Sequence, residues 1–400
     1  VAAFIDWAGT GVWLTTSTVL MVRVVHLRPA QVGLGLTVGG LLGLAAVWPV
    51  TTATRRWPVR RVAMTVQLLR GLFFLSFLAV HSAPAYYLAA ALVAIVDRPA
   101  TSVNQVLVSR YVPASERTGA MAAMHVATNA GMMIGALLAS VALLAPSRAS
   151  LDAVVTANSL SFLAAAWQVG RAATGPEAEA EAPVGAAPGA RWLSWRYLLV
   201  TVGCAVLALL FPLFNVEIPL WLSTRTQVPI VTVSVLFMLN TALVVAFQAR
   251  VTRRVAGIRS GVRAGAVAGL CIIGCCGLLA ALPGLATWVA AGGFVAAAAL
   301  LTLGEMSQGS AAWTLSFGLS PPGETTRSLA VFNTGQAAAF VLGPALCTSV
   351  VAWAGRAGFA VLAAILAAGV GLVVLGARRQ AVAEAGEPAA EPAGVAPGTS

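Results

Sequence analysis

Twelve long apolar stretches, separated by short polar segments, run along the 400-residue chain. Each is about 18 to 30 residues long, which is enough for an α-helix to cross a lipid bilayer with some tilt. The predicted spans are residues 3–25, 30–53, 62–81, 84–108, 118–145, 151–170, 197–221, 228–249, 264–283, 286–315, 328–352 and 357–377. The first run is a full span rather than a short signal-peptide core, so no cleavable signal peptide is expected. The pattern predicts an all-α membrane protein with twelve transmembrane helices.

Features of the first half recur in the second half at one fixed offset. The segment from Ala94 to Gly135 holds an apolar helix with an acid in it, a polar loop and a second apolar helix, and the same order returns 208 residues later. Asp97 returns as Glu305, Pro113 as Pro321, Glu116 as Glu324, Thr118 as Thr326 and Gly135 as Gly343. Because unrelated residue types keep an offset close to half the chain length, the sequence predicts two six-helix parallel repeats.

Two low-complexity segments mark the predicted domain boundaries. Residues 172–190 are rich in Pro, Gly, Ala and Glu, which is typical of a flexible linker. Residues 381–400 are similar in composition and are predicted to be disordered. The predicted organisation is an N-terminal six-helix bundle at 1–171, a cytoplasmic linker at 172–196, a C-terminal six-helix bundle at 197–379 and a disordered cytoplasmic tail at 380–400.

The composition excludes several classes of protein. Hydrophobic residues make up 59% of the chain and charged residues 9%, against roughly 25% charged residues in soluble proteins. All 24 basic residues are arginine, which excludes a Walker A lysine, a Schiff-base lysine and a Ser-Lys dyad. The three scattered histidines and the five cysteines within apolar spans predict neither a metal site nor a disulfide framework. We therefore expect no cofactor, no bound metal and no enzymatic activity.

The distribution of arginines predicts the orientation in the membrane. With both termini in the cytoplasm, seventeen arginines lie in cytoplasmic loops or ends and five lie on the opposite face. The cytoplasmic loop after the second span holds Arg55, Arg56, Arg60 and Arg61. The formal net charge of +11 therefore indicates membrane sidedness rather than a nucleic-acid partner. We expect a multi-pass protein of the cell (inner) membrane.

Four acids lie inside predicted spans, where a carboxylate costs several kcal/mol to insert and is usually kept for function. They are Asp6, Asp97, Glu217 and Glu305, in spans 1, 4, 7 and 10. Helical spacing places these acids on one face with further polar or aromatic residues, namely Trp13 in span 1, Thr101 and Asn104 in span 4, and Gln308 in span 10. Polar contacts that hold helices together are the alternative explanation. An interfacial position is a further alternative for Asp6 and Glu217.

The acid of span 7 and the arginine of span 4 have distinctive surroundings. Glu217 follows Phe214 by one helical turn near the outer end of its span, where two prolines loosen the helix. An acid among aromatic residues can bind a cationic or amphipathic ligand through charge and cation–π contact. Arg98 and Arg70 are the basic residues of the predicted bilayer core. Because adjacent helical residues point about 100° apart, we expect Arg98 to pair across helices rather than with Asp97.

Twelve spans in a parallel repeat of six and six, a long central loop and basic loops after spans 2 and 8 resemble the major facilitator superfamily. The resemblance covers essentially the whole chain. The family signature after span 2, GxxxDRxGRR, is partly present at residues 55–61, with Arg55 in place of the Asp and Pro58 in place of the Gly. In the family this loop latches the two halves on the cytoplasmic side, and its acid is missing here.

Within the superfamily the chain is most similar to the drug:proton antiporter branch. Arg98 matches the span-4 arginine of the motif RxxqGxg, although Thr101 and Ser102 replace its Gln and Gly. The span-5 motif GxxxGPxxGG is kept as Gly131 and Gly135 without its proline, and span 11 keeps the glycine–proline pair as Gly343-Pro344. These residues are expected to allow close helix packing where the two halves meet.

The resemblance implies a proton-coupled secondary transporter that exports a small amphipathic compound by alternating access. It implies that spans 1, 4, 7 and 10 line a central cavity, with Asp97, Glu305 and Arg98 coupling transport to protons. The implied substrate cavity is lined by Asp6, Trp13, Thr101, Asn104, Phe214, Glu217 and Gln308. The expected partners are a small-molecule substrate, protons and the lipid bilayer, and the protein is expected to be monomeric. An importer of the same fold and a non-transporting receptor or scaffold are the alternatives.

Overall fold

Twelve long helical segments follow one another along the chain. The computed structural model describes residues 2–144, 147–171 and 194–386. The helices are α1 Ala2–Arg23, α2 Pro29–Ala53, α3 Val59–Phe74, α4 Ala83–Tyr111, α5 Arg117–Leu144, α6 Arg148–Arg171, α7 Trp195–Arg225, α8 Val231–Arg253, α9 Ile258–Ala281, α10 Thr287–Gly318, α11 Thr325–Ala354 and α12 Arg356–Gly386. A 3₁₀ turn, Leu75–Ala79, continues α3. We call α1–α6 the N-half and α7–α12 the C-half.

Each helix lies within a few residues of its predicted span, and two predicted boundaries need comment. Most of the predicted linker at 172–196 lies outside the described residues, and Ser194 caps the N-terminus of α7 by accepting a hydrogen bond from the Tyr197 amide. The predicted tail was placed too early, because α12 continues to Gly386 and residues 380–386 are therefore helical. The remainder of the tail lies outside the described residues.

Ten of these helices are long and apolar enough to cross a membrane. The two that do not reach this standard are α1 and α4. Both carry acids and several further polar residues; α4, for example, contains Asp97, Arg98, Asn104 and Gln105. Such residues lower the mean hydropathy of a helix that is nevertheless packed among apolar neighbours. A polytopic helical membrane protein is therefore confirmed, whereas the count of twelve spans stays a prediction.

Two equivalent arginines show that the halves share a local construction. Arg148 begins α6 and donates hydrogen bonds to the carbonyls of Val80, at 3.0 Å, and Leu78, just after α3. Arg356 lies 208 residues further on, begins α12 and donates to the carbonyl of Pro283, just after α9. Carbonyls at a helix end lack partners within the helix. Because the same device ties the third helix to the sixth in both halves, it supports the predicted duplication.

The packing of the helices follows the same symmetry. In the N-half, α1 packs against α5 and α6, and α3 packs against α4 and α6. In the C-half, α7 packs against α11 and α12, and α9 packs against α10 and α12. The halves meet where α2 packs against α11 and where α5 packs against α8, with α4 contacting α11 and α10 contacting α5. The fourth helix of each half, which carries Asp97 or Glu305, is therefore close to the other half.

The motif glycines allow close packing within each half. A Cβ atom on Gly131 would lie 2.4 Å from the carbonyl oxygen of Phe4, and one on Gly135 would lie 2.2 Å from that of Ala8. A Cβ on Gly343 would lie 2.7 Å from Cγ of Pro212 in α7, and Pro344 follows it inside α11. The expectation that these residues lie where the halves meet is therefore wrong. They pack α5 on α1 and α11 on α7.

The seventh helix is interrupted at its middle. Its first part, Trp195–Leu207, is followed by Leu210–Pro212, a π-helical turn at Leu213–Glu217 and the final part Ile218–Arg225. Two prolines, Pro212 and Pro219, flank the π turn, and neither has an N–H with which to continue the α-helical hydrogen bonding. The turn points Phe214 and Glu217 into the core of the C-half, where they are 6% and 1% exposed.

Candidate functional site

A buried arginine on α3 joins three helices of the N-half. Nη1 of Arg70 lies 2.7 Å from Oδ2 of Asp6 on α1, and Nη2 lies 2.7 Å from Oδ1 of Asp97 on α4. Gln67, one turn before Arg70, donates to Asp6 Oδ2 at 2.8 Å and accepts from Arg70 Nη1 at 2.6 Å. The guanidinium carbon lies 4.1 Å from the ring centroid of Phe162 on α6. We call Asp6, Gln67, Arg70 and Asp97 the N-half ion cluster.

The members of this cluster differ in their access to solvent. The side chains of Arg70 and Asp6 are 5% exposed, whereas that of Asp97 is 38% exposed. Two carboxylates share one guanidinium, so the ionised cluster carries one excess negative charge. Charge-assisted hydrogen bonds stabilise such a cluster, and each charge in it depends on its partners. Asp97 is therefore the member that a proton or a ligand can reach, and Asp6 serves to hold Arg70 in place.

Asp97 is paired with Arg70 and not with the neighbouring Arg98. Arg98 is exposed and forms no hydrogen bond or ion pair with any described residue. A Cβ atom on Gly43 of α2 would lie 2.6 Å from Cγ of Arg98, so the stem of Arg98 runs along α2. The expectation that Arg98 would pair across helices is therefore not met among the described residues, although Arg98 does avoid Asp97. Arg70, which the sequence places in the bilayer core, is the partner of Asp97.

A second polar cluster lies at the junction of the halves. Nε2 of His125 on α5 lies 3.3 Å from Oε1 of Glu305 on α10. Asn240 on α8 donates to Oε2 of Glu305 at 2.7 Å and to Oγ1 of Thr302 at 3.1 Å. The side chains of His125 and Glu305 are 21% and 8% exposed. We call His125, Asn240, Thr302 and Glu305 the junction cluster, and it brings together one helix of the N-half and two of the C-half.

The imidazole of His125 is positioned by its neighbours on both sides. Asn129, one turn further along α5, donates to the carbonyl oxygen of His125 at 3.0 Å and lies 3.3 Å from Nε2. The indole of Trp313 on α10 packs edge-on against the imidazole at 5.8 Å between ring centroids. Within the described part of the chain, no group of three or more His, Cys, Asp or Glu side chains could hold a metal ion.

The residues predicted to line the substrate cavity differ in their exposure. Thr101 is exposed and Asn104 is partly exposed, on the same face of α4 as Asp97. The indole of Trp13 instead packs against Phe74 and Phe77, at 4.8 and 4.6 Å between ring centroids, in the apolar core of the N-half. The prediction that Trp13 lines the cavity is therefore wrong, because the aromatic core of the N-half takes its ring.

The predicted cavity residues of the C-half are also covered. Phe214 packs edge-on against Phe237, and Glu217 is 1% exposed with no hydrogen-bond partner for Oε2 among the described residues. Gln308 is 4% exposed and donates to the Cys204 carbonyl at 3.4 Å and to Gln336 at 3.5 Å. These three residues are buried inside the C-half, Phe214 and Glu217 in the π turn of α7 and Gln308 on α10.

Direct contacts close the halves together on one side. Arg55, after α2, forms an ion pair at 2.8 Å with Glu324 at the start of α11. Arg110 donates to Thr326 at 3.4 Å, and Thr118 lies 3.2 Å from Thr314. We call this the arginine-rich side, because it carries the loop after α2 with its four arginines.

Polar and apolar contacts continue this closure toward the middle of the helices. Gln105 donates to Ser316 at 2.8 Å and accepts from Asn333 at 2.7 Å. An apolar cluster of Val59, Val106 and Leu329 fills the space beside them. The remaining residues of the loop motif differ in role, since Arg60 donates to the carbonyl of Val169 at 3.2 Å whereas Arg56 and Arg61 are exposed. The structure is therefore closed on its arginine-rich side.

Sequence reasoning assigned several residues of these contacts to no site, among them Gln67, Arg70, His125 and Glu324. Gln67 and Arg70 lie three residues apart in an otherwise apolar span, a spacing that places both on one helix face. His125 and Asn129 have the same kind of spacing. These pairs are the signal that could have found them, whereas their partners come from distant parts of the chain.

Two duplicated halves of membrane helices, with ionisable residues at their junction, define the architecture of a membrane transporter. The sequence matches the Major Facilitator Superfamily over residues 1–344. The chain belongs to this superfamily. No curated protein matches the sequence.

Solved structures of transporters share this fold at low sequence identity. The human organic anion transporter MFSD10 (TETRAN) is 15% identical, with a TM-score of 0.68 over 93% of this chain and 97% of that chain. A bacterial homologue of the iron transporter ferroportin in an outward-facing state is 13% identical, with a TM-score of 0.66 over 96% of this chain and 98% of that chain. The same homologue with soaked iron is 14% identical, with a TM-score of 0.69 and the same coverage. These likenesses show the fold alone.

Proposed function

We propose that the protein is a proton-coupled secondary transporter that exports a small amphipathic compound by alternating access between its two halves. The observation that carries the proposal is the placement of Asp97 and Glu305. They occupy equivalent positions of the two repeats, and both contact other helices through polar groups. Carboxylates inside a membrane helix are costly and are usually kept for function. Purely structural polar contacts could be made by amides, as Asn333 and Gln105 do.

Asp97 is suited to exchange a proton, because Arg70 competes with the proton for the same carboxylate. When Asp97 is ionised, it accepts from Nε and Nη2 of Arg70 at 3.0 and 2.7 Å. When Asp97 is protonated, Arg70 keeps its contact with Asp6, and the cluster as a whole becomes neutral. In this proposal Arg70 takes the role that the sequence resemblance gives to Arg98.

The exposed face of α4 favours a cationic or neutral amphipathic substrate. Asp97, Thr101 and Asn104 form the accessible part of this face, and its charged member is negative. One protein of similar fold is described as an organic anion transporter and another as a homologue of an iron transporter. A carboxylate facing the substrate favours a cation over an organic anion, because like charges repel at close range. We therefore narrow the substrate site to these three residues of α4.

The setting of this activity is the cell (inner) membrane, with the protein as a monomer and both termini in the cytoplasm. The excess of arginines on one side supports this orientation. The closed arginine-rich side would then be the cytoplasmic side. Protons would bind from the outside and leave on the inside as the substrate is exported.

Purified protein in proteoliposomes tests the proposal. A pH-sensitive dye inside the vesicles reports proton movement when fluorescent lipophilic cations such as ethidium are added. We expect Glu305→Gln to abolish proton-driven accumulation of the fluorescent cation, and Asp97→Asn to reduce it strongly. An amide keeps the shape and hydrogen bonding of the side chain but cannot exchange a proton. Exchange of the fluorescent cation without a proton gradient should survive in both variants.

Asp152→Asn is the matched control. Asp152 lies on α6, its side chain is 45% exposed and it pairs with Arg148 outside both polar clusters. This variant should transport like the wild type. If the double variant of Asp97 and Glu305 still concentrates dye in a proton-dependent way, the two acids are structural and the proposed coupling is wrong.

A further inference from the structure

We infer that His125 and Glu305 together form a proton-dependent clasp that holds the two halves in the state closed on the arginine-rich side. The two residues come from opposite halves, and their facing atoms are 3.3 Å apart. Rocking of one half against the other therefore makes or breaks this contact. The inference rests on the proposed alternating access, and it adds a second titratable group, on the N-half, that neither the sequence motifs nor the family match assigns.

The contact between Nε2 and Oε1 needs a proton. Both atoms carry lone pairs, so they attract each other only when one of them is protonated. The other oxygen of Glu305 already accepts from Asn240, and the amide of Asn129 already donates to the carbonyl of His125. These contacts hold both side chains in place. The amide nitrogen of Asn129 also lies 3.3 Å from Nε2, but it can donate only to an unprotonated Nε2, whereas a protonated Nε2 can donate to Oε1. Protonation of Nε2 therefore selects Glu305, across the halves, as its partner.

The strength of the contact depends on how many protons it holds. A neutral imidazole that donates from Nε2 forms a hydrogen bond to the carboxylate, in which the acceptor alone is charged. One additional proton makes the imidazole cationic and adds the attraction between two opposite charges about 3.3 Å apart. Because the Glu305 side chain is 8% exposed, water screens this attraction less than it would at the surface. Binding of one proton therefore favours the closed state.

Other charged groups of the helices that pack against α5 are paired elsewhere or, like Arg98, lie along another helix. The acids of α1 and α4, Asp6 and Asp97, are bound to Arg70. On α6, Asp152 pairs with Arg148. The arginines of α8 lie at its far end, with Arg250 against the ring of Phe247. From α10, the titratable group that faces His125 is Glu305, beside Trp313.

The direction of the pH effect follows from this arrangement. Lowering the pH should increase the population closed on the arginine-rich side, because the additional proton strengthens the contact between the halves. Opening of that side separates His125 from Glu305 and removes the stabilisation of the bound proton. The proton would then be released more readily in the open state, which is the step that proton-coupled export requires.

Distances between spin labels on the full chain in lipid nanodiscs test the clasp. Labels at Ser115→Cys and Ala256→Cys, two exposed loop positions after α4 and α8, report separation of the halves on the arginine-rich side. The five native cysteines are replaced by alanine. We expect the ratio of closed to open protein to rise about fivefold between about pH 8 and about pH 6. His125→Gln, which keeps polar contacts but cannot gain a charge, should abolish this response.

His81→Gln is the matched control, because His81 is exposed in the short segment between α3 and α4 and should leave the response unchanged. A wild-type ratio that does not change with pH would overturn the clasp, even if the His125 variant does not fold. A His125→Gln variant that responds like the wild type would also overturn it. If the fluorescent cation is transported in exchange for protons but the ratio of closed to open protein does not change with pH, the proposed function stands and the clasp is wrong. If the ratio changes with pH but no transport is seen, the clasp stands and the proposed function is wrong.

Discussion

At the scale of single residues, the buried charge of Arg70 holds three helices of the N-half together. Its side chain is 5% exposed, and Asp6, equally buried, compensates its charge at 2.7 Å. Asp97 adds a second contact from a side chain that is 38% exposed. Removing one partner of a buried ion pair leaves an uncompensated charge, which costs more than the pair itself contributes. The two acids are therefore unequal, since Asp6 has little access to water whereas Asp97 can be hydrated.

Replacement of Arg70 should reveal this inequality. We expect Arg70→Met to destabilise the folded protein by about 3–5 kcal/mol, because the carboxylate of Asp6 loses its counter-charge. Adding Asp6→Asn should recover much of the loss, and adding Asp97→Asn should recover less. Thermal unfolding of the purified variants in detergent, followed by size-exclusion chromatography, measures the difference. Equal recovery by the two second substitutions would contradict the unequal roles.

At the scale of elements, the close contact of α1 with α5 depends on glycine. The missing side chain of Gly135 lets the backbone of α5 approach the carbonyl of Ala8 and the amide of Val12. A Cβ there would lie 2.2 Å from the first and 2.8 Å from the second, and both atoms belong to backbone that cannot rotate aside. Small residues allow membrane helices to pack by van der Waals contact, which replaces the hydrophobic effect inside the bilayer.

Alanine at two glycines of the same helix should therefore have opposite effects. Gly135→Ala is expected to destabilise by about 1–3 kcal/mol, because α1 and α5 must move apart. Gly119→Ala is the control, since a Cβ on Gly119 meets nothing within 4 Å. Alanine is the better helix former by about 1 kcal/mol, so this control should be neutral or stabilising. Unfolding temperatures of the two variants in detergent measure both effects. Equal destabilisation would show that the close approach of α1 and α5 at Gly135 does not contribute to stability.

The positions of the helices could be predicted from the sequence because long apolar runs alone determine where a chain can cross a bilayer. The offset of 208 residues likewise predicted the duplication, and the equivalent hydrogen bonds of Arg148 and Arg356, which are the same distance apart, support it. Both signals are local or periodic in the chain. Neither depends on how the helices are rotated about their axes.

The partners of the charged residues could not be predicted in the same way. Asp97 and Arg70 are 27 residues apart, and His125 and Glu305 lie in different halves. Their contacts depend on helix rotation, which is determined by packing across the whole bundle. The π turn of α7 shows the limit most clearly, because a local change in helical repeat turns Phe214 and Glu217 away from the face that regular spacing predicts.

At the scale of the whole molecule, an ion pair with exchanged positions closes the arginine-rich side. The superfamily signature has an acid in the loop after the second helix, and this chain has Arg55 there. The acid lies instead in the other half, as Glu324 at the N-terminus of α11, and the two side chains meet at 2.8 Å. Negative charge at a helix N-terminus is favourable in itself. This loop therefore still binds the other half through an ion pair, but the loop supplies the arginine and α11 supplies the acid. Arg327, whose side chain lies 3.3 Å from that of Glu324, supports the pair.

Reversing the charge of either partner should weaken the closed state, and reversing both charges together should restore it. Val106→Cys is the reporter, because Val106 is fully buried in the apolar cluster between the halves and a membrane-impermeant maleimide can label it only when they separate. We expect Arg55→Glu to speed labelling about two- to fivefold, because the new acid faces Glu324 and a partly exposed pair contributes modestly. Glu324→Arg should do the same, and the combination of both should return toward the wild-type rate. Arg56→Glu, the same change at the exposed neighbouring position, should have little effect. If the combined variant labels as fast as either single one, the pair does not hold the halves together.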